Sequence, residues 1–164
     1  MKLFGITGWK NAGKTGLMER LVTEITARGL TVSTLKHAHH SFDVDQPGRD
    51  SHRHRMAGAH QVLLSSANRW ALMTELHGTQ EPVLDNLLAQ MAPADLILIE
   101  GWKTSPHPKI ECFRADAGHD LIAPGDPTIL AVAADTYHDL DRPVFDLNDT
   151  GAIADFILGQ VGLG

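Results

Sequence analysis

Residues 8–15 read Gly8-Trp9-Lys10-Asn11-Ala12-Gly13-Lys14-Thr15 and satisfy the phosphate-loop pattern in full. The stretch decides the fold because of what flanks it. Lys2 to Thr7 is short and largely apolar and reads as a first strand. Leu17, Met18, Leu21, Val22 and Ile25 then recur at helical spacing, and Gly29 is a C-terminal stop. In a strand–loop–helix unit, the loop's N–H groups and the helix N-terminus converge on one point and favour a polyanion there. Nucleotide phosphates are therefore expected along Gly8, Lys10, Asn11, Ala12, Gly13, Lys14, Thr15 and Gly16. Lys14 is expected to reach the outer phosphates and Thr15 to offer its hydroxyl to Mg²⁺.

Working outward, Thr31 to Lys36 reads as a second strand, followed by a polar stretch from His37 to Asp50 with a turn at Pro47-Gly48. Ser51 to Ala59 reads as a short helix. Gln61–Ser66 and Arg69–Thr74 read as strands joined at Ala67-Asn68, close enough to form an antiparallel hairpin. Glu81 to Met91 carries helical spacing. Asp95 to Glu100 is an apolar strand with a carboxylate at each end, suited to a position covered on both faces. Lys109–Arg114 and Thr128–Ala133 are further strands, and Ile153, Phe156 and Ile157 mark a closing helix. The alternation predicts an α/β fold of the P-loop NTPase-like type, a mainly parallel sheet flanked by helices, as a single nucleotide-binding domain over 1–164. The antiparallel hairpin at about 61–75 is expected to serve in dimerisation, since a two-strand ribbon needs another surface to cover its face.

Composition narrows the function classes. The chain has 164 residues, enough for one proper core, and 43% hydrophobic with 21% charged residues is ordinary for a soluble protein. A net charge of −6 argues against a nucleic-acid binder that works by neutralising phosphates. No apolar run approaches membrane-spanning length, and the chain enters a strand almost at once, so neither a membrane partner nor a targeting segment is expected. A lone cysteine, Cys112, matches a reducing, cytoplasmic setting.

Ligands of parallel sheets bind at the carboxyl ends of the strands. That rule gathers the phosphate loop, the segment after Lys36, Glu100-Gly101 and the loop after Ala133 onto one edge. Glu100 is the candidate carboxylate for Mg²⁺, acting directly or through a bound water, because Mg²⁺ keeps several waters and takes few protein ligands. Asp43 or Asp45 would approach the same metal or its waters. Lys36, His37, His39, His40 and Asp43 form a polar edge for a ligand or partner. His37, His39 and His40 also raise a transition-metal alternative, which the absence of a nearby cysteine weighs against.

Several blocks stand in register with the phosphate loop. They are Lys36-His37-Ala38-His39-His40, Asp43-Val44-Asp45-Gln46-Pro47-Gly48-Arg49-Asp50-Ser51, Ala57-Gly58-Ala59, Arg69-Trp70-Ala71-Leu72-Met73-Thr74-Glu75, Leu98-Ile99-Glu100-Gly101-Trp102-Lys103 and Phe113-Arg114. Together they resemble the MobB family, the adaptor proteins of molybdopterin-guanine dinucleotide biosynthesis, across nearly the whole chain. The resemblance implies a GTP-binding homodimer with at most weak GTPase activity and no catalytic residues of its own. It implies a partner guanylyltransferase that joins GMP to molybdopterin; molybdopterin itself is a further candidate partner, and its contact with this chain is left open. It assigns the phosphate site to Gly8, Gly13, Lys14 and Thr15, the metal-side acid to Glu100 and the acidic segment to Asp45. The guanine signature Asn-Lys-x-Asp is absent. Its counterpart is Ala133-Ala134-Asp135-Thr136, where Asp135 would read the guanine N1 and N2 donors. Lys10 stands in the loop where a smaller residue is common.

Two other functions use the same residues. A P-loop small-molecule kinase or ATP-dependent ligase would clamp its acceptor with Lys36, Arg53 and Arg114. A metallochaperone GTPase would hold Ni or Zn through His37, His39 and His40.

Overall fold

In a computed structural model, described over residues 1–38 and 42–164, the chain forms two units by internal contacts. The first comprises residues 1–37 and 92–164, the second residues 38–91. His39, His40 and Ser41 lie outside the described residues.

The first unit is a six-stranded parallel sheet. Its strands are β1 (Lys2–Thr7), β2 (Val32–Lys36), β5 (Leu96–Glu100), β6 (Lys109–Phe113), β7 (Ile129–Ala134) and β8 (Val144–Asp146). They lie in the order β2-β5-β1-β6-β7-β8. Two long helices belong to this unit, α1 (Lys14–Ala27) and α4 (Thr150–Val161). Helix α1 buries Leu17, Met18, Leu21 and Ile25, one stripe at the expected spacing, in a core that includes Phe4, Ile6, Leu98, Ile110, Ile153 and Ile157. Each of those fully buried aliphatic side chains contributes about 1.5–3 kcal/mol. Helix α4 starts at Asp149, whose side chain accepts the N–H of Ala152 at 3.1 Å, and ends at Gly162 in the left-handed region. A smaller cluster around Ile129, Val132 and Ala134 packs with Ala123, Leu121 and Phe113.

Strand β5 has Leu96 to Ile99 fully buried, so both of its faces are covered, and it sits one strand in from the sheet edge. Strand β6 lies between β1 and β7 although its sequence alternates in polarity. Lys109 and Glu111 are both fully buried there. The Lys109 ammonium donates to the carbonyls of Ser105 and His107 and to Thr128 Oγ1. Glu111 accepts the N–H groups of Ile122 and Ala123 at 2.7–3.0 Å, which anchors the loop before β7. Burial raises the Glu111 carboxyl above its ordinary range, and those N–H donors oppose the shift.

The second unit holds α2 (Asp50–Met56), the hairpin β3 (Gln61–Ser65) and β4 (Trp70–Thr74), and α3 (Leu84–Leu88). The hairpin is antiparallel with Gln61 opposite Thr74 and Ser65 opposite Trp70. Ser66 and Arg69 close it around Ala67-Asn68, the N–H of Ser66 donating to the Arg69 carbonyl at 2.9 Å.

Two expectations are corrected, and one strand is added. The helix read over 81–91 is limited to α3. Pro82 disfavours helical backbone at Glu81, and Val83 is extended at φ −67° and ψ 157°, so the helix starts late. The helix read over 51–59 begins at Asp50 and stops at Met56, ahead of Gly58 at φ +100°. Strand β8 was not expected. It is three residues long, too short for a periodic signal.

Candidate functional site: a cationic phosphate cradle at the start of α1

The geometry of the loop follows from its glycines. Gly8 has φ +134°, and a Cβ there would stand 2.4 Å from the Cys112 carbonyl oxygen. Gly13 has φ +93° and caps α1 without a side-chain hydrogen bond. The helix therefore presents its first N–H groups without intrahelical acceptors, which is the feature that binds phosphate. Asn11 also takes a positive φ, 65°. Residues of this loop and helix start, with Arg20, Arg114 and Leu147, line a cavity of about 370 Å³. Three of its side chains, Lys14, Arg20 and Arg114, are cationic and none of the lining residues is acidic.

The Lys14 ammonium donates to the Trp9 carbonyl at 2.6 Å. Burial lowers its pKa from the ordinary lysine value, Glu100 opposes that shift, and Lys103 and Lys36 add to it. Trp9 is itself fixed. Its indole N–H donates to the Asp120 carbonyl at 2.9 Å, the Lys103 ammonium lies 4.1 Å from its ring centroid, and His119 packs on it at 5.1 Å. Lys10 is exposed.

Glu100 ends β5 opposite both Ile6 of β1 and Lys36 of β2. Its side chain is only 12% exposed and pairs with the Lys36 ammonium at 3.4 Å. The next residue, Gly101, has φ +104°, and a Cβ there would meet the His37 side chain at 2.7 Å. His37 continues the β2–β5 pairing through its N–H to the Glu100 carbonyl at 2.8 Å, and its ring packs on Trp102 at 4.8 Å. Lys14, Lys36, His37 and Glu100 are thus gathered in the first unit, as the strand-edge rule anticipates.

Asp43 and Asp45 lie in the second unit, and Arg55 holds both at 2.8 Å while also reaching Glu75 at 3.3 Å. Its hydrogen bonds to Asp45 keep that carboxyl below its ordinary range. Asp45 also lines a second cavity with Arg49, Asp50 and Leu64. Arg55 went unread in the sequence because its partners are 10 to 20 residues away. The expected roles of His39 and His40 fall outside the described residues. Among the described residues no group of three His, Cys, Asp or Glu side chains is placed to hold a metal ion.

Asp135 is exposed after β7, and its Oδ1 accepts the N–H of Ala115 at 3.0 Å. Arg20 belongs to the scaffold of the cavity. Its Nε donates to Thr150 Oγ1 at 3.0 Å and its Nη2 to the Leu147 carbonyl at 2.7 Å, tying α1 to the turn before α4. No sequence pattern announced Arg20, since its partners are more than 120 residues away. Among the described residues no helix is long and apolar enough to cross a membrane.

The chain is similar to known proteins over this whole architecture. The family model described as molybdopterin guanine dinucleotide synthesis protein B matches residues 3–135. A molybdopterin-guanine dinucleotide biosynthesis adapter protein from Escherichia coli is 41% identical over 161 residues, covering 95% of this chain and 91% of the relative. The adapter protein of the same name from Haemophilus influenzae is 44% identical over 158 residues, covering 94% and 86%. The crystal structure of a MobB protein homolog from Bacillus stearothermophilus is 27% identical, covers 100% of both chains and superposes with a TM-score of 0.75. On this agreement of family model, relatives and structure, the chain belongs to the MobB family.

Proposed function

We propose that this chain is a GTP-binding adaptor that assists a guanylyltransferase in converting molybdopterin to molybdopterin guanine dinucleotide. The observation that carries the reading is the cradle at the start of α1, a complete phosphate loop with three cations and no carboxylate lining one cavity. Its relatives from Escherichia coli and Haemophilus influenzae are named as adapter proteins of this biosynthesis. GTP phosphates would lie on the N–H groups of Gly13, Lys14, Thr15 and Gly16, with the loop residues Gly8, Lys10, Asn11 and Ala12 around them. Thr15 and Glu100 would hold Mg²⁺, a sparse hydroxyl and carboxylate set of the kind Mg²⁺ accepts beside nucleotide phosphates. Asp45, the acidic residue that the resemblance assigns beside the metal, is held by Arg55 within the second unit. Asp135 has one carboxylate oxygen engaged by Ala115, and the other would meet the guanine N1 and N2 donors. Lys36, His37, His39, His40 and Asp43 would face molybdopterin or the partner enzyme.

The working form would be a cytoplasmic homodimer. Leu63 of β3 stands opposite Leu72 of β4, Trp70 lies on the same face, and the three are 60%, 43% and 67% exposed. A second copy would cover that face. Little unaided chemistry is expected, because efficient GTP hydrolysis needs a positioned water and none of the described side chains around the cavity is a carboxylate or amide set to orient one, apart from Asn11 in the loop itself. The test is reconstitution. Adding the chain and GTP to the guanylyltransferase and molybdopterin should raise the yield of the dinucleotide, and Lys14→Ala should diminish that rise. Fast phosphorylation of a small acceptor without any partner would refute the adaptor reading.

A further inference from the structure

We propose that Arg114 is a phosphate ligand of the nucleotide site, a guanidinium that closes on the phosphates over Gly13 and supplies affinity that Lys14 alone does not. The proposal rests on the nucleotide reading of the phosphate loop. Arg114 follows β6, the neighbour of β1 in the sheet, so it leaves the sheet at the same carboxyl edge as the loop. Its Nε stands 3.2 Å, and its Nη2 3.7 Å, from the point a Cβ on Gly13 would occupy. The guanidinium therefore lies against the N-cap of α1, where the loop's N–H groups converge.

Two features separate Arg114 from the other cations of the cavity. The first is that its guanidinium makes no hydrogen bond or ion pair among the described residues. Arg20 spends its donors on Thr150 and Leu147, and Lys14 spends one on Trp9. Arg114 is exposed, and it lines the cavity with Lys14 and Arg20 and with no carboxylate among the lining residues. Its donors are thus left for an incoming ligand, and an anion with several oxygens suits the planar fork of arginine.

The second feature is that the main chain of Arg114 is fixed on both sides while its side chain is not. Phe113 pairs with Ala134 of β7, and the ring of Phe113 meets His138 edge-on at 4.6 Å. On the other side, the Ala115 N–H is held by Asp135 Oδ1 at 3.0 Å, and the Arg114 carbonyl accepts the N–H of Ala117 at 3.1 Å. Asp135 is in this respect a positioning residue for Arg114, whatever its outer oxygen meets. A fixed backbone lowers the entropy lost when the side chain closes on its ligand.

The decisive measurement is calorimetric binding of GTP and of inorganic pyrophosphate to the parent, Arg114→Gln, Arg114→Lys and Lys14→Ala, with the melting temperature of each ligand-free protein. Arg114→Gln should weaken both ligands by about tenfold, Arg114→Lys should restore only part of that loss because the fork is gone, and the ligand-free melting temperatures should coincide with the parent's. If Lys14→Ala abolishes GTP binding while Arg114→Gln binds like the parent, Arg114 is not a ligand and the phosphate-loop reading stands. If neither substitution affects GTP, the phosphate-loop reading itself fails, and this proposal with it. A loss for GTP without a loss for pyrophosphate would place Arg114 on the base or ribose and overturn the proposal. A marked fall in the melting temperature of both Arg114 variants would assign the residue to the scaffold and overturn it equally.

Discussion

The ammonium of Lys14 lies 2.6 Å from the carbonyl oxygen of Trp9, so the lysine of the phosphate loop is folded back onto the loop that carries it. The contact ties the first turn of α1 to the loop's crest. Trp9 is in turn fastened to Asp120 and covered by Lys103 and His119, which makes the crest a rigid platform. A phosphate bound at the helix start would compete for the same ammonium, trading a neutral carbonyl for an anionic acceptor. Lys14→Ala should therefore weaken GTP binding at least tenfold, about 1.4 kcal/mol or more, with little change in the ligand-free melting temperature. Calorimetry giving equal affinities for mutant and parent would remove the loop from nucleotide binding.

Glu100 offers the test of the metal. Its carboxylate is 12% exposed, is paired with Lys36 at 3.4 Å and ends the strand beside the one that leads into the loop. Glu100→Gln keeps the shape and removes the charge. The variant should fold as the parent does, while the Mg²⁺ concentration needed for half-maximal GTP binding should rise by roughly tenfold, the loss of one charge-assisted contact. An unchanged Mg²⁺ titration would transfer the role to Asp43 or Asp45.

The hairpin predicts assembly. Leu63, Leu72 and Trp70 expose one continuous apolar face, and a two-strand ribbon with such a face is marginal without a cover. Light scattering at micromolar concentration should give the mass of a dimer. Trp70→Ser combined with Leu72→Ser should shift the population to monomer and leave α1 and the parallel sheet folded. A double variant that remains a dimer would put the contact on another surface.

Gly8 should tolerate no side chain. At φ +134° an added Cβ is strained, and it would also stand 2.4 Å from the Cys112 carbonyl, a backbone atom of β6. Gly8→Ala should cost roughly 2 kcal/mol or more and lower Tm by about 5 °C or more. Gly29→Ala is the comparison, because its Cβ would meet nothing within 4 Å although its φ is +87°, so strain alone is measured there. Equal losses at both positions would mean that the approach to Cys112 is relaxed at little cost.

The parts of this fold that were legible in the sequence are those whose causes are local. The glycines and Lys14 of the loop, the apolar stripe of α1, the apolar run of β5 and the two-residue connection of the hairpin each announce themselves within a few residues. The rest depends on distant partners. Strand β6 alternates in polarity, and the carbonyls of Ser105 and His107, the Thr128 hydroxyl and the N–H groups of Ile122 and Ala123 explain why Lys109 and Glu111 are buried within an interior strand. The cationic cradle is legible in half. Lys14 comes with the motif, whereas Arg114 stands in the sequence as a strand end, in the Phe113-Arg114 block and as an acceptor clamp for a kinase, never as a phosphate ligand, and Arg20 carries no role there. Arg114 reaches the cavity through strand order, β6 beside β1, which no local spacing encodes, whereas Arg20 shares α1 with Lys14 and is held by Thr150 and Leu147.

His107 gives the fold a pH dependence of known sign. It is buried at 8% exposure against β1, where its Nε2 stands 2.6 Å from the point a Cβ on Gly5 would occupy, and neither ring nitrogen has a hydrogen-bond partner among the described residues. Burial pulls its pKa down to about 4 from an ordinary 6.5, Lys109 pushes the same way, and Asp126 opposes both. Between those two values the unfolded chain binds a proton that the folded chain refuses. Stability is therefore whole above about pH 6.5 and is lost as pH falls toward 4, with a slope of up to about 1.4 kcal/mol per unit. Replacing the ring by an apolar side chain of similar reach, His107→Leu, should remove this component. Denaturant unfolding at pH 7.5 and pH 5 should show the parent losing on the order of 1–2 kcal/mol more than the variant over that interval. The carboxylates whose pKa values are lowered, Asp45, Asp95, Asp126 and Asp141, act at lower pH and are shared by both proteins. Parallel pH dependences for parent and variant would show that His107 reaches solvent and titrates as it does in the unfolded chain.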